Sequence, residues 1–219
     1  MDRWATFDCY GTLIDWERGI LDTLSSAWPE ADPAALLARF HQVEPKVQAG
    51  SGRPYREVLA ETLVGVANEE GLPLPPGREG ALAESLPDWP AFPEVPGSLR
   101  ELLDRGWKMG ILSNTDPDLL AASILRLGVE PDVSVTAREA GSYKPAHGHW
   151  EAFRRLTGAD PSRHVHVGAS PFHDLAPAGE LGIPAVWINR LGEVTNLPRA
   201  AELPDLTGLA KTLDGLVAP

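Results

Sequence analysis

The sequence has one cysteine, Cys9, in 219 residues, which excludes an intramolecular disulfide framework and a cysteine-rich zinc site. Basic charge is also short. Lys and Arg number 19 against 31 Asp and Glu, a formal charge of −12, so nucleic acid and anionic membrane surfaces are poor partners. Only four of the basic residues are lysines, Lys46, Lys108, Lys144 and Lys211, and that scarcity makes the place of each informative. No run approaches the roughly 18 apolar residues of a membrane span. The opening segment, Met1 to Gly11, lacks a basic stretch followed by an apolar one, so a cytoplasmic location is the expectation.

What is present reads as a globular chain. Apolar residues make up 43%, and the length suits one large domain or one domain carrying a smaller insertion. Short β-like runs fall at Trp4 to Phe7, Trp107 to Leu112, Val133 to Val135, His164 to Val167 and Ala185 to Ile188. Helical patterns lie between most of them: Leu99, Leu102 and Leu103; Leu119, Leu120 and Ile124, with Asp116 as N-cap and Pro117 in the first turn; Trp150, Phe153 and Leu156; and Leu206, Leu209, Leu213 and Leu216. Strands alternating with helices predict an α/β fold, a mostly parallel sheet with helices on both faces.

One interval breaks the alternation. For roughly 75 residues after the first strand the apolar spacing is helical throughout. Leu36, Leu37, Phe40 and Val43 form one stripe, and Tyr55, Val58, Leu59, Leu63 and Val66 another. An all-helical insertion over 15–91 is the simplest reading, with 1–14 and 92–219 forming the core and the Pro-rich stretch Pro87 to Pro96 linking back to the sheet.

In an open parallel sheet, ligands bind where the carboxyl ends of strands meet loops and helix N-termini. Those ends read Asp8-Cys9-Tyr10-Gly11-Thr12, Ser113-Asn114-Thr115-Asp116 and Gly168-Ala169-Ser170-Pro171-Phe172-His173-Asp174, with Gly141-Ser142-Tyr143-Lys144-Pro145 ahead of a helix. Two carboxylates, one ammonium and several hydroxyls therefore converge on one crevice. Gly11 permits a tight turn, and the backbone N–H groups of residues 113 to 118 suit an anion. Strand alternation turns Cys9 away from the side Asp8 faces. The pairs His147/His149 and His164/His166 have no evident third metal ligand and read as surface or structural groups, while His173 adjoins Asp174.

In order and spacing, these four segments resemble the four motifs of the haloacid dehalogenase superfamily of hydrolases. The resemblance covers essentially the whole chain and implies a Rossmann-like core in which Asp8 is a nucleophile and the insertion is a helical cap over the substrate. It implies catalytic roles for Asp8, Lys144, Asp174 and Ser113, and substrate contacts from Tyr10, Thr12, Asn114 and Ser170. A small anionic substrate is the expected partner, and a homodimer is a reasonable expectation from the resemblance.

Within the superfamily, phosphatases resemble one another in an Asp two residues after the nucleophile and an Asp that ligates magnesium after the fourth strand. Tyr10 and Ala169 stand at those places here. Displacing halide needs neither group, and Asp-x-Tyr-Gly-Thr-Leu is the form of the L-2-haloacid dehalogenase branch. The resemblance thus implies metal-free hydrolytic dehalogenation of small 2-haloacids through an aspartyl ester. A magnesium-dependent phosphatase and a non-catalytic protein that binds an anion or a partner stay open as alternatives. Departures from the branch are Pro171 in place of an Asn, Trp150 in place of an aromatic hydroxyl, and no clear cap arginine near Gln48 and Ala49, for which Arg39, Arg53 and Arg56 are the substitutes at hand.

Overall fold

A computed structural model describes residues 2–49 and 52–218. Six strands, β1 (Arg3–Phe7), β2 (Trp107–Ser113), β3 (Val133–Thr136), β4 (His164–Gly168), β5 (Ala185–Ile188) and β6 (Ala201–Leu203), form one sheet in the order β3-β2-β1-β4-β5-β6. Every pairing is parallel. The central strands β1 and β4 are buried along their whole length, as a sheet covered on both faces requires. Because the order reverses direction at β1, the crevice of a doubly wound sheet falls beside the ends of β1, β2 and β4.

The helices are α1 (Trp16–Ala27), α2 (Pro33–Gln48), α3 (Tyr55–Glu70), α4 (Ala81–Ser85), α5 (Val95–Asp104), α6 (Pro117–Ile124), α7 (Ala137–Ala140), α8 (Gly148–Thr157), α9 (Ala176–Glu180) and α10 (Leu209–Leu216). Helices α1 to α4 are built between β1 and α5, and the two stripes read from the sequence become their packed faces, with Leu36, Phe40 and Val43 of α2 and Val58, Leu59, Leu63 and Val66 of α3 buried. The chain leaves and re-enters the sheet side by side: Ile14 bridges Ala91 in antiparallel fashion, Phe92 N–H donates to Leu13 O at 3.0 Å, and Asp15 N–H donates to Pro90 O at 2.8 Å.

Four local expectations need correction. β6 went unread, because three residues at a sheet edge carry too little pattern. The Pro-rich stretch is only partly extended: Pro87 sits in a 3-10 turn over Leu86–Asp88 and Pro96 in the first turn of α5, where a missing N–H costs nothing. Leu156 is 59% exposed. Asp116 precedes α6 as read, but its carboxylate caps a different helix, accepting from Tyr55 N and Arg56 N at 3.0 Å each. Helix α3 follows Pro54 and has no side-chain cap of its own, so the residue ahead of α6 satisfies its first N–H groups. Arg56 adds contacts to Asp116 and Asp118, and Tyr143 Oη donates to Arg53 O at 2.6 Å.

Candidate active site

The site is built at the carboxyl ends of β1, β2 and β4. Gly11 adopts φ +88°, a conformation open to glycine, and this turn brings the chain back past Asp8. Thr12, fully buried, donates its hydroxyl to Asp8 Oδ2 at 2.9 Å and accepts from Ala169 N at 2.9 Å, which ties the first strand's loop to the fourth's. Past β4, a π-helical turn over Pro171–Leu175 is capped by Ser170 and swings Asp174 back over the strand. There Gly168 is required: a methyl on it would lie 2.5 Å from the Asp174 carboxyl.

Lys144 closes the arrangement. Its ammonium, almost wholly buried, donates to Asp8 Oδ1 at 2.8 Å and to Asp174 Oδ1 at 2.7 Å. Asn114 grips the Lys144 backbone at both ends of its amide, accepting from Lys144 N at 2.6 Å and donating to Lys144 O at 3.0 Å. Behind Asp174 stands His166, Nε2 at 3.3 Å, whose other nitrogen meets Thr6 Oγ1 at 3.0 Å; His164 Nε2 reaches the same hydroxyl at 2.7 Å. Two buried carboxylates therefore share one cation inside a hydrogen-bonded core.

The electrostatics follow from that ratio. Burial works against the Asp174 carboxylate, but the Lys144 charge and the His166 hydrogen bond outweigh it and hold Asp174 well below the usual carboxylate range. Burial likewise opposes the Lys144 charge, and the two carboxylates overcome it, raising Lys144 to about 12. Asp8 is pushed up by burial, with Lys144 lowering it and Asp174 raising it. Asp174 is thus a fixed anion, and Asp8 is the carboxylate left under-compensated, which favours reactivity. Burial lowers His164 to about 3 and His149 to about 4, so both are neutral at pH 7.

A cavity of about 650 Å³ opens over Asp8, lined on the core side by Tyr10, Ser113, Asn114, Lys144 and Ser170, and on the helical side by residues of α1, α2 and α3. Ser113 Oγ is buried with no hydrogen-bond partner among the described residues, beside the N-terminus of α6. An anionic group can satisfy both.

The structure brings Asp8, Lys144, Asp174 and Ser113 together, but it reassigns several other expectations. Thr12 does not line the cavity; it holds Asp8 from behind. Asn114 spends its amide on Lys144 rather than standing free. The Tyr10 hydroxyl turns to Ser123 Oγ at 2.9 Å, leaving its ring, set edge-on to Trp89, to shape the wall. Ser170 pairs with His173 N–H at 3.1 Å. Trp150 packs against His166, ring centroids 5.1 Å apart, with Nε1 unpartnered among the described residues. Of the two roles expected for the His164/His166 pair, surface or structural, the structure gives the structural one, since both side chains are buried. None of Arg39, Arg53 and Arg56 lines the cavity, because Glu69 and Glu70, Glu61, and Asp116 with Asp118 engage them.

Three cavity residues were missed. Arg190, just past β5, stacks on Phe92 and donates to Thr12 O and Glu94, and its place at a strand end was the available signal. Glu44 and His41 come from α2, where helical spacing placed Glu44 next to the buried stripe through Val43.

Asp8 and Asp174 meet protein donors on every carboxylate oxygen. Both Asp174 oxygens are taken, Oδ1 by Lys144 and His166 and Oδ2 by Ser170 N; both Asp8 oxygens are taken, by Lys144 and Thr12; and the residue after Gly168 contributes only a methyl. Among the described residues, no group of three or more His, Cys, Asp or Glu is arranged to hold a metal. No helix among them is long and apolar enough to cross a membrane.

Residues 3–182 match the haloacid dehalogenase-like hydrolase family. The chain is 28% identical to haloacetate dehalogenase H-2 of Moraxella sp. (strain B), with 92% of this chain and 91% of that protein aligned. It is 29% identical to (S)-2-haloacid dehalogenase of Pseudomonas sp. (strain YL), over 86% and 83% respectively. A crystal structure of an L-2-haloacid dehalogenase superposes with a TM-score of 0.86 at 25% identity, covering 97% of this chain and 99% of the other.

Proposed function

Since the chain belongs to the haloacid dehalogenase-like hydrolases, we propose that it dehalogenates small (S)-2-haloacids by way of an ester on Asp8, without a metal ion. The observation that carries this reading is the single Lys144 ammonium set between Asp8 and Asp174, with Tyr10 and Ala169 rather than further carboxylates beside them. Dehalogenase relatives aligned over most of both chains support it. Residues 15–91 act as a cap that shields the ester from bulk water.

The substrate carboxylate sits against Ser113 Oγ and the N-terminus of α6. Asp8 attacks the α-carbon from the side opposite the halide, an Asp8 oxygen–carbon bond forms, and halide departs with the carbon–halogen electron pair. No proton is needed for that departure, which is consistent with an aromatic residue, Tyr10, two places after the nucleophile. Water then attacks the carbonyl carbon of the Asp8 ester, and the bond from that carbon to the alkoxy oxygen breaks. One water proton goes to the hydroxyl of the 2-hydroxyacid and the other to solvent, and Asp8 returns as carboxylate to its contacts with Lys144 and Thr12. Lys144 balances the charge in both half-reactions, and Asp174 keeps Lys144 in place.

Halide release from each enantiomer of 2-chloropropionate, with and without EDTA, tests the reading. Release from the (S) enantiomer at a rate EDTA does not change is the expected result. No release from any small haloacid, or phosphate release that depends on magnesium, contradicts it.

A further inference from the structure

Helix α2 places a buried carboxyl in the cavity that the reaction above does not use. Glu44 is 9% exposed and receives two hydrogen bonds, from Tyr55 Oη at 3.3 Å and Gln48 Nε2 at 3.0 Å, both on Oε1. Among the described residues its Oε2 has no partner and no cation pairs with it. Burial pushes this carboxyl up to about 7, with the Tyr55 bond opposing. Near neutral pH the group therefore exists in both forms, a neutral O–H donor and an anion, in a cavity that must accept an anionic substrate.

In-line displacement sends the leaving group away from Asp8, toward the helical wall. Arg39, Arg53 and Arg56 are engaged elsewhere, and His41, one turn before Glu44, stacks on Trp16 with Nε2 3.4 Å from Glu17. We propose that Glu44, as the neutral acid, donates a hydrogen bond to the departing halide, and that its ionisation shuts out anionic substrate. This rests on the dehalogenase reading. In the step, the Asp8 oxygen–carbon bond forms, the carbon–halogen bond breaks with its electrons going to halide, and Glu44 keeps its proton in an O–H···halide contact.

The groups that face Glu44 are His41 on its own helix, Tyr55 on α3 and Tyr143 from the core, with Asp15 and Glu17 of the α1 end on the same cavity wall. Burial raises Tyr55 well above its usual range and Tyr143 to about 12, so both stay neutral. That leaves His41 as the neighbouring cavity side chain to replace in parallel with Glu44.

The test is kcat/KM and kcat for halide release from (S)-2-chloropropionate between pH 6 and 8.5, in the wild type, Glu44→Gln and His41→Gln. The wild type should lose about tenfold per pH unit above neutrality; Glu44→Gln should be flat, and His41→Gln should keep the fall. Two readouts need no turnover. Calorimetric binding of propionate should weaken with pH in the wild type and stay constant in Glu44→Gln. The folded protein holds the Glu44 proton to higher pH than the unfolded chain, so the burial cost grows as pH rises toward and past 7, and Glu44→Gln should melt about 5 °C or more above the wild type at pH 8 with little difference at pH 5. An unchanged fall in Glu44→Gln, flattening by His41→Gln instead, or propionate binding independent of pH in the wild type overturns the proposal. If the wild type releases no halide at any pH, the dehalogenase reading falls, and the propionate titration still decides whether Glu44 gates anions.

Discussion

Asp8→Asn is expected to abolish halide release, by on the order of 10⁴-fold or more, while leaving the fold as stable as the wild type or slightly more so. The activity loss follows from chemistry: an amide cannot donate the electron pair that forms the ester, and among the described cavity-lining residues no other nucleophile touches Lys144, since Asp174 is pinned by three donors. The stability expectation follows from charge. Asp8 and Asp174 share one ammonium; burial opposes the ionisation of both, and Asp8 is the partner left with its pKa raised. Neutralising it leaves a one-to-one Lys144–Asp174 pair. Steady-state halide release with a urea titration reads both effects, and a large stability loss would mean that Asp8 is structural.

Lys144→Met should do the opposite on stability. Removing the ammonium from a site with 1% side-chain exposure strands Asp8 and Asp174 facing each other, a loss on the order of 3–5 kcal/mol at pH 7. Methionine fills much of the volume, so the cost is electrostatic, and its pH dependence identifies it. Without Lys144 at least one carboxyl has its folded value raised above the unfolded one. The folded variant then binds more protons than the unfolded chain, so its stability is retained in acid and lost as pH rises through that raised value. The gap between wild type and variant in chemical denaturation should therefore narrow from pH 7 to pH 5. Activity falls with it, because an Asp8 that takes up a proton is no nucleophile. Lys144→Arg is not a rescue, since the planar guanidinium is larger than the ammonium and the site between the two carboxylates is almost fully buried.

How much of this could be read from residues alone varies with the range of the interaction. Strand ends are local events, so Asp8, Ser113 and Asp174 were placed by the rule that parallel strands present their carboxyl ends to one crevice, and Lys144 by its rarity and its Tyr-Lys-Pro setting. The two stripes on α2 and α3 were legible as buried helix faces for the same reason. Contacts that cross the fold left no such trace. Asp116 stands where any helix N-cap would, yet it serves α3, 60 residues away, because Pro54 leaves that helix without a cap. His164 and His166 alternate along β4 and share a face with Thr6 of β1, and that shared face becomes visible only when the two strands pair. The resemblance implies substrate contacts from Asn114 and Thr12; tertiary structure gives their hydrogen bonds to Lys144 and Asp8. Glu44 was hidden by sign, since a glutamate beside an apolar stripe normally faces water.

The covalent role proposed for Asp8 has a direct isotopic test. With enzyme in excess over (S)-2-chloropropionate, a single turnover in H₂¹⁸O should place the heavy oxygen in the Asp8 carboxylate, found by mass spectrometry of the peptide carrying Phe7-Asp8-Cys9, while the hydroxyl of the product carries ordinary oxygen from the enzyme. Heavy oxygen in the product after that one turnover, with the Asp8 peptide unlabelled, would mean that water attacks the substrate directly and that no aspartyl ester forms.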